Sequence, residues 1–207
     1  LEEIPRALRI EGERDPAPPA PTEPLDFRIT VAGFGGQGVL LLGEVLAEAG
    51  RAAGLEVSWL PSYGPEMRSG TSHCHVRLAT TPIDSPLVSR PNVLLALNEP
   101  SLRKFLPTVA PGGWVFSNGA TLPEDCRRDD VRFMVRPFTE LADEIGEPRV
   151  ANMVMLGALL GATGVLSEDM VTTALAGRVK SERWLEMDRR ALWCGREAVW
   201  TGGSHGH

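Results

Sequence analysis

Apolar and polar positions along this chain follow two periods, and the places where the period changes mark its elements. Ile29-Thr30-Val31 is a short β-branched run that predicts a strand. From Gly36 to Ala53 the period is helical. Val39, Leu42, Leu46, Ala49 and Ala53 recur at steps of three and four, while Glu44, Glu48 and Arg51 share the other side. Gly50 and Gly54 are expected to stop this helix. With a second strand at Glu56 to Leu60, the opening reads strand, glycine loop, helix, strand, which begins a parallel, helix-covered sheet.

A third strand is expected from His73 to Leu78, with Cys74, Val76 and Leu78 facing one way and His73, His75 and Arg77 the other. Asn92 to Leu97 is apolar after its first residue, as a strand buried on both faces should be. Pro100 suits the first turn of a short helix through Leu106. After the Pro111-Gly112-Gly113 turn, Trp114 to Ser117 and Val131 to Val135 predict strands five and six. Thr139 is a candidate cap for a helix through Ile145, ended by Gly146.

The last third is helical. Val150 to Thr163 is nearly all apolar and carries Gly157, Ala158, Gly161 and Ala162, so it belongs either under the sheet or in a subunit interface. Ser167, Glu168 and Asp169 open a further helix with good capping chemistry. In Ser181 to Trp200, Leu185, Leu192 and Val199 repeat every seven residues beside Trp184, Ala191 and Ala198. One side of that helix can cover the core, and its tryptophans, Trp193 and Trp200 among them, equally suit a partner surface. The expected fold is α/β: a three-layer α/β/α Rossmann-like domain with a mainly parallel sheet and a helical C-terminal third.

Both ends lie outside this pattern. Residues 1–26 form a separate arm in which Pro16, Pro18, Pro19, Pro21 and Pro24 favour an extended spacer. The arm reads either as a disordered tail or as a strap along a partner subunit, anchored by Leu1 to Ile10. The domain proper is expected over 27–201, with 202–207 a polar tail. A length of 207 residues with 43% hydrophobic content suits one domain with a full core. The net charge of −6 argues against nucleic acid as the main partner. Cys74, Cys126 and Cys194 are scattered, with no Cys-x-x-Cys, so they cannot by themselves hold an iron–sulfur cluster or a zinc ribbon, and they fit a reducing cytoplasm. The longest apolar stretch, near Met153 to Leu166, is too short and Gly-punctuated to span a bilayer, and no signal segment opens the chain. Because the first residue is Leu, upstream sequence is expected to be missing.

Candidate chemistry concentrates in two loops. Gly33-Phe34-Gly35-Gly36-Gln37-Gly38 joins the first strand to the first helix, where glycines permit close backbone approach and free N–H groups meet the positive helix end, a seat for an anion. Gly33-x-Gly35-x-x-Gly38 matches the dinucleotide fingerprint, yet no acid ends the second strand to hold a ribose; the only nearby acid, Glu56, sits at its start. Glycines that merely pack helix against strand are the plainer alternative. The extra Gly36 and the amide donor Gln37 favour a ligand over that alternative. The second loop, Pro61 to Ser72, lacks either period and is long for a connection, which marks it as functional. Its Glu66 and Arg68 suit either a loop-fixing ion pair or a clamp for carboxylate or phosphate. His73-x-His75 is a possible metal pair without an evident third ligand; satisfied sheet histidines are the other reading.

Taken in order, the two loops resemble the γ subunit of the 2-oxoacid:ferredoxin oxidoreductases, the family of pyruvate, 2-oxoglutarate, branched-chain 2-oxoacid and indolepyruvate enzymes. The resemblance rests on Gly33 to Gly38 and on Ser62-Tyr63-Gly64-Pro65-Glu66-Met67-Arg68-Ser69-Gly70. It continues through Pro82-Ile83, Ser85-Pro86, Ala96 to Leu102 and Arg149-Val150-Ala151-Asn152-Met153. It covers roughly Phe27 to Ala198, and Ser69 stands where the family commonly has glycine. The resemblance implies a subunit of an enzyme that oxidatively decarboxylates a 2-oxoacid with coenzyme A, giving acyl-CoA, CO2 and reduced ferredoxin. It implies a hetero-oligomer with α and β subunits that hold thiamine diphosphate and Mg2+, and with a ferredoxin-like subunit or domain carrying 4Fe-4S clusters. It implies no cofactor bound by this chain alone and no catalytic residue within it. Gly33, Gly35, Gly36, Gln37, Gly38, Tyr63, Glu66 and Arg68 are expected to wall a coenzyme A channel and to meet the thiamine-binding subunits. A stand-alone NAD-binding protein and a purely structural interface subunit are the competing expectations.

Overall fold

Two strands buried along most of their length take the middle of the sheet, where both faces are covered. They are β1 (Asp26–Phe34) and β4 (Val93–Ala96), paired in parallel with Thr30 opposite Leu94. The other strands are β2 (Glu56–Pro61), β3 (Thr71–Ala79), β5 (Trp114–Asn118) and β6 (Arg132–Arg136), and the sheet order is β2-β3-β1-β4-β5-β6. This computed structural model describes residues 24–62 and 71–200, without the side chain of Trp200. The arm to residue 23, the tail from 201, and the loop carrying Tyr63, Glu66 and Arg68 lie outside the described residues.

One strand departs from the expected parallel opening. β3 is antiparallel to both β1 and β2 and separates them, so β2 keeps the direction of β1 without touching it. Only residues 62–70 join β2 to β3, which is short of the roughly dozen residues that a parallel crossover needs. The chain therefore turns back beside β2. The other pairings, β4 with β5 and β5 with β6, are parallel.

Among the described residues six α-helices complete the layers: α1 (Val39–Ala52), α2 (Glu99–Phe105), α3 (Phe138–Glu144), α4 (Ala151–Thr163), α5 (Glu168–Arg178) and α6 (Glu182–Trp200). One sheet face, through Ile29, Val31, Cys74, Val76, Leu95 and Phe116, packs in the main core with Leu42 and Leu46 of α1, Phe138 of α3, and Met153 and Leu156 of α4. The opposite face, through Ala32, Leu94, Ala96 and Val115, packs with Leu102 and Phe105 of α2. The result is three layers with most of the helical mass on one side.

α4 lies beneath the sheet, buried along most of its length, and α6 crosses it at backbone contact. A Cβ at Gly157 would sit 2.0 Å from the Leu192 carbonyl oxygen, and one at Gly195 would sit 1.8 Å from that of Val154. The small residues of α4 thus serve a crossing inside the chain. On α6, Leu192 is buried, Trp193 is 57% exposed and Trp184 lies under the Arg149 guanidinium, 4.9 Å from its ring centre.

Two expected boundaries differ. Gly50 lies within α1, where a Cβ would come within 2.5 Å of Leu78, and Gly54, at φ 75°, ends the helix alone. Thr139 does not cap α3, which starts one residue earlier, after Pro137. Asn118, at the end of β5, accepts the Thr139 N–H at 3.1 Å and donates to the Thr139 hydroxyl at 2.8 Å, so a neighbouring strand supplies the cap. Ser167 caps α5 as expected, accepting the Met170 N–H at 3.3 Å. Among the described residues no helix is long and apolar enough to cross a membrane.

Candidate functional site

The site begins where helices leave the sheet for opposite faces. α1 follows β1 onto the main-core face, and α2 follows β4 onto the other. β1 and β4 are neighbours, so a crevice opens between their carboxyl ends, the place where open α/β sheets bind ligands. Gly35 to Gly38 and Leu97-Asn98 form its two lips.

The glycines of the first lip divide by role. Gly33 and Gly38 are packing positions: a Cβ would lie 2.9 Å from Gln37 Oε1 and Val39 Cγ2 at the first, and 2.2 Å from Asn152 Nδ2 at the second. Gly35 and Gly36 have no described atom within 4 Å of an added Cβ, and Gly36 sits at φ 87°. Gly38, left-handed at φ 72°, starts α1 with no side-chain cap and no acid in the first turn, so among the described residues no helix-borne acid offsets its positive end.

Gln37 faces the protein, contrary to the expectation that its amide serves a ligand. Its Nε2 donates to the Leu97 carbonyl at 3.2 Å, while Oε1 accepts the Phe34 N–H and the Asn98 amide, both at 2.7 Å. It ties the two lips together. Asn98 also caps α2, accepting the Ser101 N–H at 2.9 Å, so one short network fixes the crevice walls.

Beyond the lips the crevice widens into two lobes that share Gly36, Arg149 and Asn152. One, about 200 Å³, is lined by Gln37, Leu97, Asn118 and Thr139; the other, about 300 Å³, by Gly38, Leu41, Val179, Trp184 and Asp188. Asn152, buried at the start of α4, donates to the Gly38 carbonyl at 3.3 Å and holds the loop against α4. Arg149 stands between the lobes, its guanidinium paired with Glu147 at 2.9 Å and laid over Trp184. That guanidinium holds the Glu147 carboxyl below its ordinary range. A cation, an open glycine turn and an uncapped helix end thus converge on one trough, which suits an anionic group.

Arg149, Asn152, Trp184 and Asp188 were not among the site residues expected from sequence. Arg149 and Asn152 fall in the run shared with the oxidoreductase γ subunits, which was a signal, but nothing local ties them to a loop 114 residues away. The loop with Tyr63, Glu66 and Arg68 is outside the described residues, but its flanks are visible. Thr71 pairs with Phe34, and the Ser62 N–H bonds to the His73 carbonyl at 3.0 Å. The chain therefore rejoins the sheet beside the first lip, having left it one strand further out.

His73 and His75 sit on the face away from α1, their rings edge-on at 5.5 Å. His75 Nδ1 meets the Thr30 hydroxyl at 3.0 Å, and the His73 ring packs 4.9 Å from Phe105. Burial, with His73 alongside, pushes His75 down to about 4 and keeps it neutral near pH 7. Among the described residues no group of three His, Cys, Asp or Glu converges on a metal position. Burial likewise pushes the Cys74 thiol up to about 12, so it packs as an apolar side chain.

A glycine turn at a sheet switch point opens on a trough that Arg149, ion-paired with Glu147, divides, and in open α/β sheets this is where ligands sit. The chain belongs to the pyruvate ferredoxin/flavodoxin oxidoreductase family, whose model matches residues 28–198. It is 39% identical to the ketoisovalerate oxidoreductase subunit VorA of Methanothermobacter thermautotrophicus over 95% of its own length, and it spans 41% of that relative. In structure it is similar to the keto/oxoacid ferredoxin oxidoreductase γ subunit from Geobacter sulfurreducens, with a TM-score of 0.73 at 29% identity, covering 84% of this chain and 99% of that one. It is also similar to the 2-oxoglutarate:ferredoxin oxidoreductase of Magnetococcus marinus, solved with 2-oxoglutarate, coenzyme A and succinyl-CoA bound. There the TM-score is 0.76 at 26% identity, covering 85% of this chain and 31% of that one.

Proposed function

We propose that this chain is the γ component of a 2-oxoacid:ferredoxin oxidoreductase and that its crevice forms one wall of the coenzyme A channel. The complex would oxidatively decarboxylate a 2-oxoacid with coenzyme A to acyl-CoA, CO2 and reduced ferredoxin. Thiamine diphosphate, Mg2+ and 4Fe-4S clusters would reside in the α, β and ferredoxin-like partners. Phosphate oxygens of coenzyme A would meet the backbone at Gly35, Gly36 and Gly38 and the guanidinium of Arg149. Gly33 and Gln37 would shape the turn from inside, and Tyr63, Glu66 and Arg68 would supply the facing wall. The observation that carries the reading is the trough at the β1–β4 switch point, in a family with a coenzyme A-bound relative of similar fold.

The arrangement of strands disfavours NAD. A dinucleotide site needs its acid at the end of the strand next to β1, and here that neighbour is the antiparallel β3. In the assembled complex, Gly35→Leu and Arg149→Ala should each raise the KM for coenzyme A by about tenfold, the value of one charge-assisted contact, with a smaller change in kcat. Unaltered KM in both variants, with the complex intact, would overturn the channel assignment.

A further inference from the structure

The larger lobe contains a group that the proposed function leaves unused. Asp188 projects from α6 into the space between Leu41, Val179 and Trp184, and it is only 6% exposed. Among the described residues no donor reaches it. Several more exposed carboxylates have partners: Glu44 and Glu48 with Arg178, Asp26 with Arg77, Glu147 with Arg149 and Glu168 with Arg196. Arg149, the other charged residue lining the lobe, is committed to Glu147 and to the face of Trp184.

Burying a carboxyl group without a partner weakens a fold, so a position like this marks a group kept for something outside the chain. The lobe has aliphatic walls, one indole and, in Asp188, an acceptor without a described donor, and it opens at Gly36 and Arg149, where an anion would rest. A fitting occupant is an uncharged arm that carries an N–H donor and is covalently joined to a phosphate. We propose that Asp188 accepts a hydrogen bond from such an arm of the coenzyme whose phosphate lies at the glycine turn. This deepens, and rests on, the coenzyme A reading. Coenzyme A has two arms of this chemistry, the amino-bearing adenine and the amide-bearing pantetheine, and each can be tested alone.

The experiment is titration calorimetry on the assembled complex, parent and variants, with coenzyme A, adenosine 3′,5′-bisphosphate and 4′-phosphopantetheine as ligands. Asp188→Leu should weaken coenzyme A by about tenfold or more, the value of a hydrogen bond to a charged acceptor. Asp188→Asn, which keeps a carbonyl oxygen, should lie between it and the parent. The half-molecule that loses affinity in the same variants identifies the arm. A purely structural role for Asp188 predicts a lower melting temperature in Asp188→Leu; the proposal predicts a higher one, because an unpartnered carboxyl is removed. If Asp188→Leu binds coenzyme A within twofold of the parent while Gly35→Leu binds it weakly, this inference falls and the channel stands. If neither variant weakens binding, both fall together.

Discussion

At the α4–α6 crossing, Gly157 and Gly195 let two helix backbones touch, whereas at the β1–α1 turn Gly35 and Gly36 border a space that no described atom enters. The residue type is the same and the consequence is opposite. In the crossing the missing Cβ is replaced by a carbonyl oxygen of the facing helix, so the glycine is part of the core. In the turn no described atom replaces it, and the φ of 87° at Gly36 gives a conformational reason for glycine there. What surrounds the absent side chain therefore separates a packing glycine from one that faces a ligand, and a sequence cannot show it.

The most direct way to break this contrast is to add one methyl group at each place. Gly195→Ala should cost about 3 kcal/mol in urea unfolding, because the Val154 carbonyl it meets is backbone and cannot swing away. Gly35→Ala should change stability by less than about 0.5 kcal/mol. Equal effects at the two sites would refute the division.

A smaller effect sharpens the ligand side of the comparison. Burial raises Asp188 to about 6 from an ordinary 3.8, so the folded chain keeps its proton to a higher pH than the unfolded chain does. The associated loss of stability sets in as pH rises from about 4 toward 6 and is complete above that. Asp188→Leu should thus be more stable than the parent at pH 7.5, by about 1–2 kcal/mol, and the gain should shrink by pH 4.5. Denaturant titrations at both pH values check the sign.

The opposite pH dependence, and the smallest effect, belongs to the far sheet face. His75 is held neutral with a value lowered from 6.5 to about 4, so the unfolded chain takes up its proton first. Stability should fall as pH drops from about 6.5 toward 4, by about 1 kcal/mol, and His75→Gln should flatten that part of the curve.

Much of the fold could be read from residue order. The strands and α-helices of the described residues fall where hydrophobic period, capping residues and Gly or Pro breaks place them, within a few residues. The exceptions were long-range. Thr139 looked like a cap because the nearest hydroxyl was sought in sequence, whereas the cap is Asn118, on another strand. Gly50 looked like a stop because its contact with Leu78 of β3 is invisible along the helix. The candidate site divides in the same way. The Gly33 to Gly38 turn was legible, but Gln37 was assigned to a ligand, since a free amide and one bound to Leu97 and Asn98 read alike.

Sequence by itself determined the α/β pattern, the glycine turn between a strand and a helix, and the ordered pair of loops that resembles the oxidoreductase γ subunits. These are local matters of period, backbone freedom and short-range hydrogen bonding, and neighbouring residues carry them. Only the tertiary structure decided that β3 intrudes between β1 and β2, that α1 and α2 part to opposite faces, and that Arg149, Trp184 and Asp188 join Gly36 around one trough. Those outcomes depend on which buried surfaces meet across the sheet. Packing settles such meetings between residues more than a hundred positions apart, where no local spacing rule reaches.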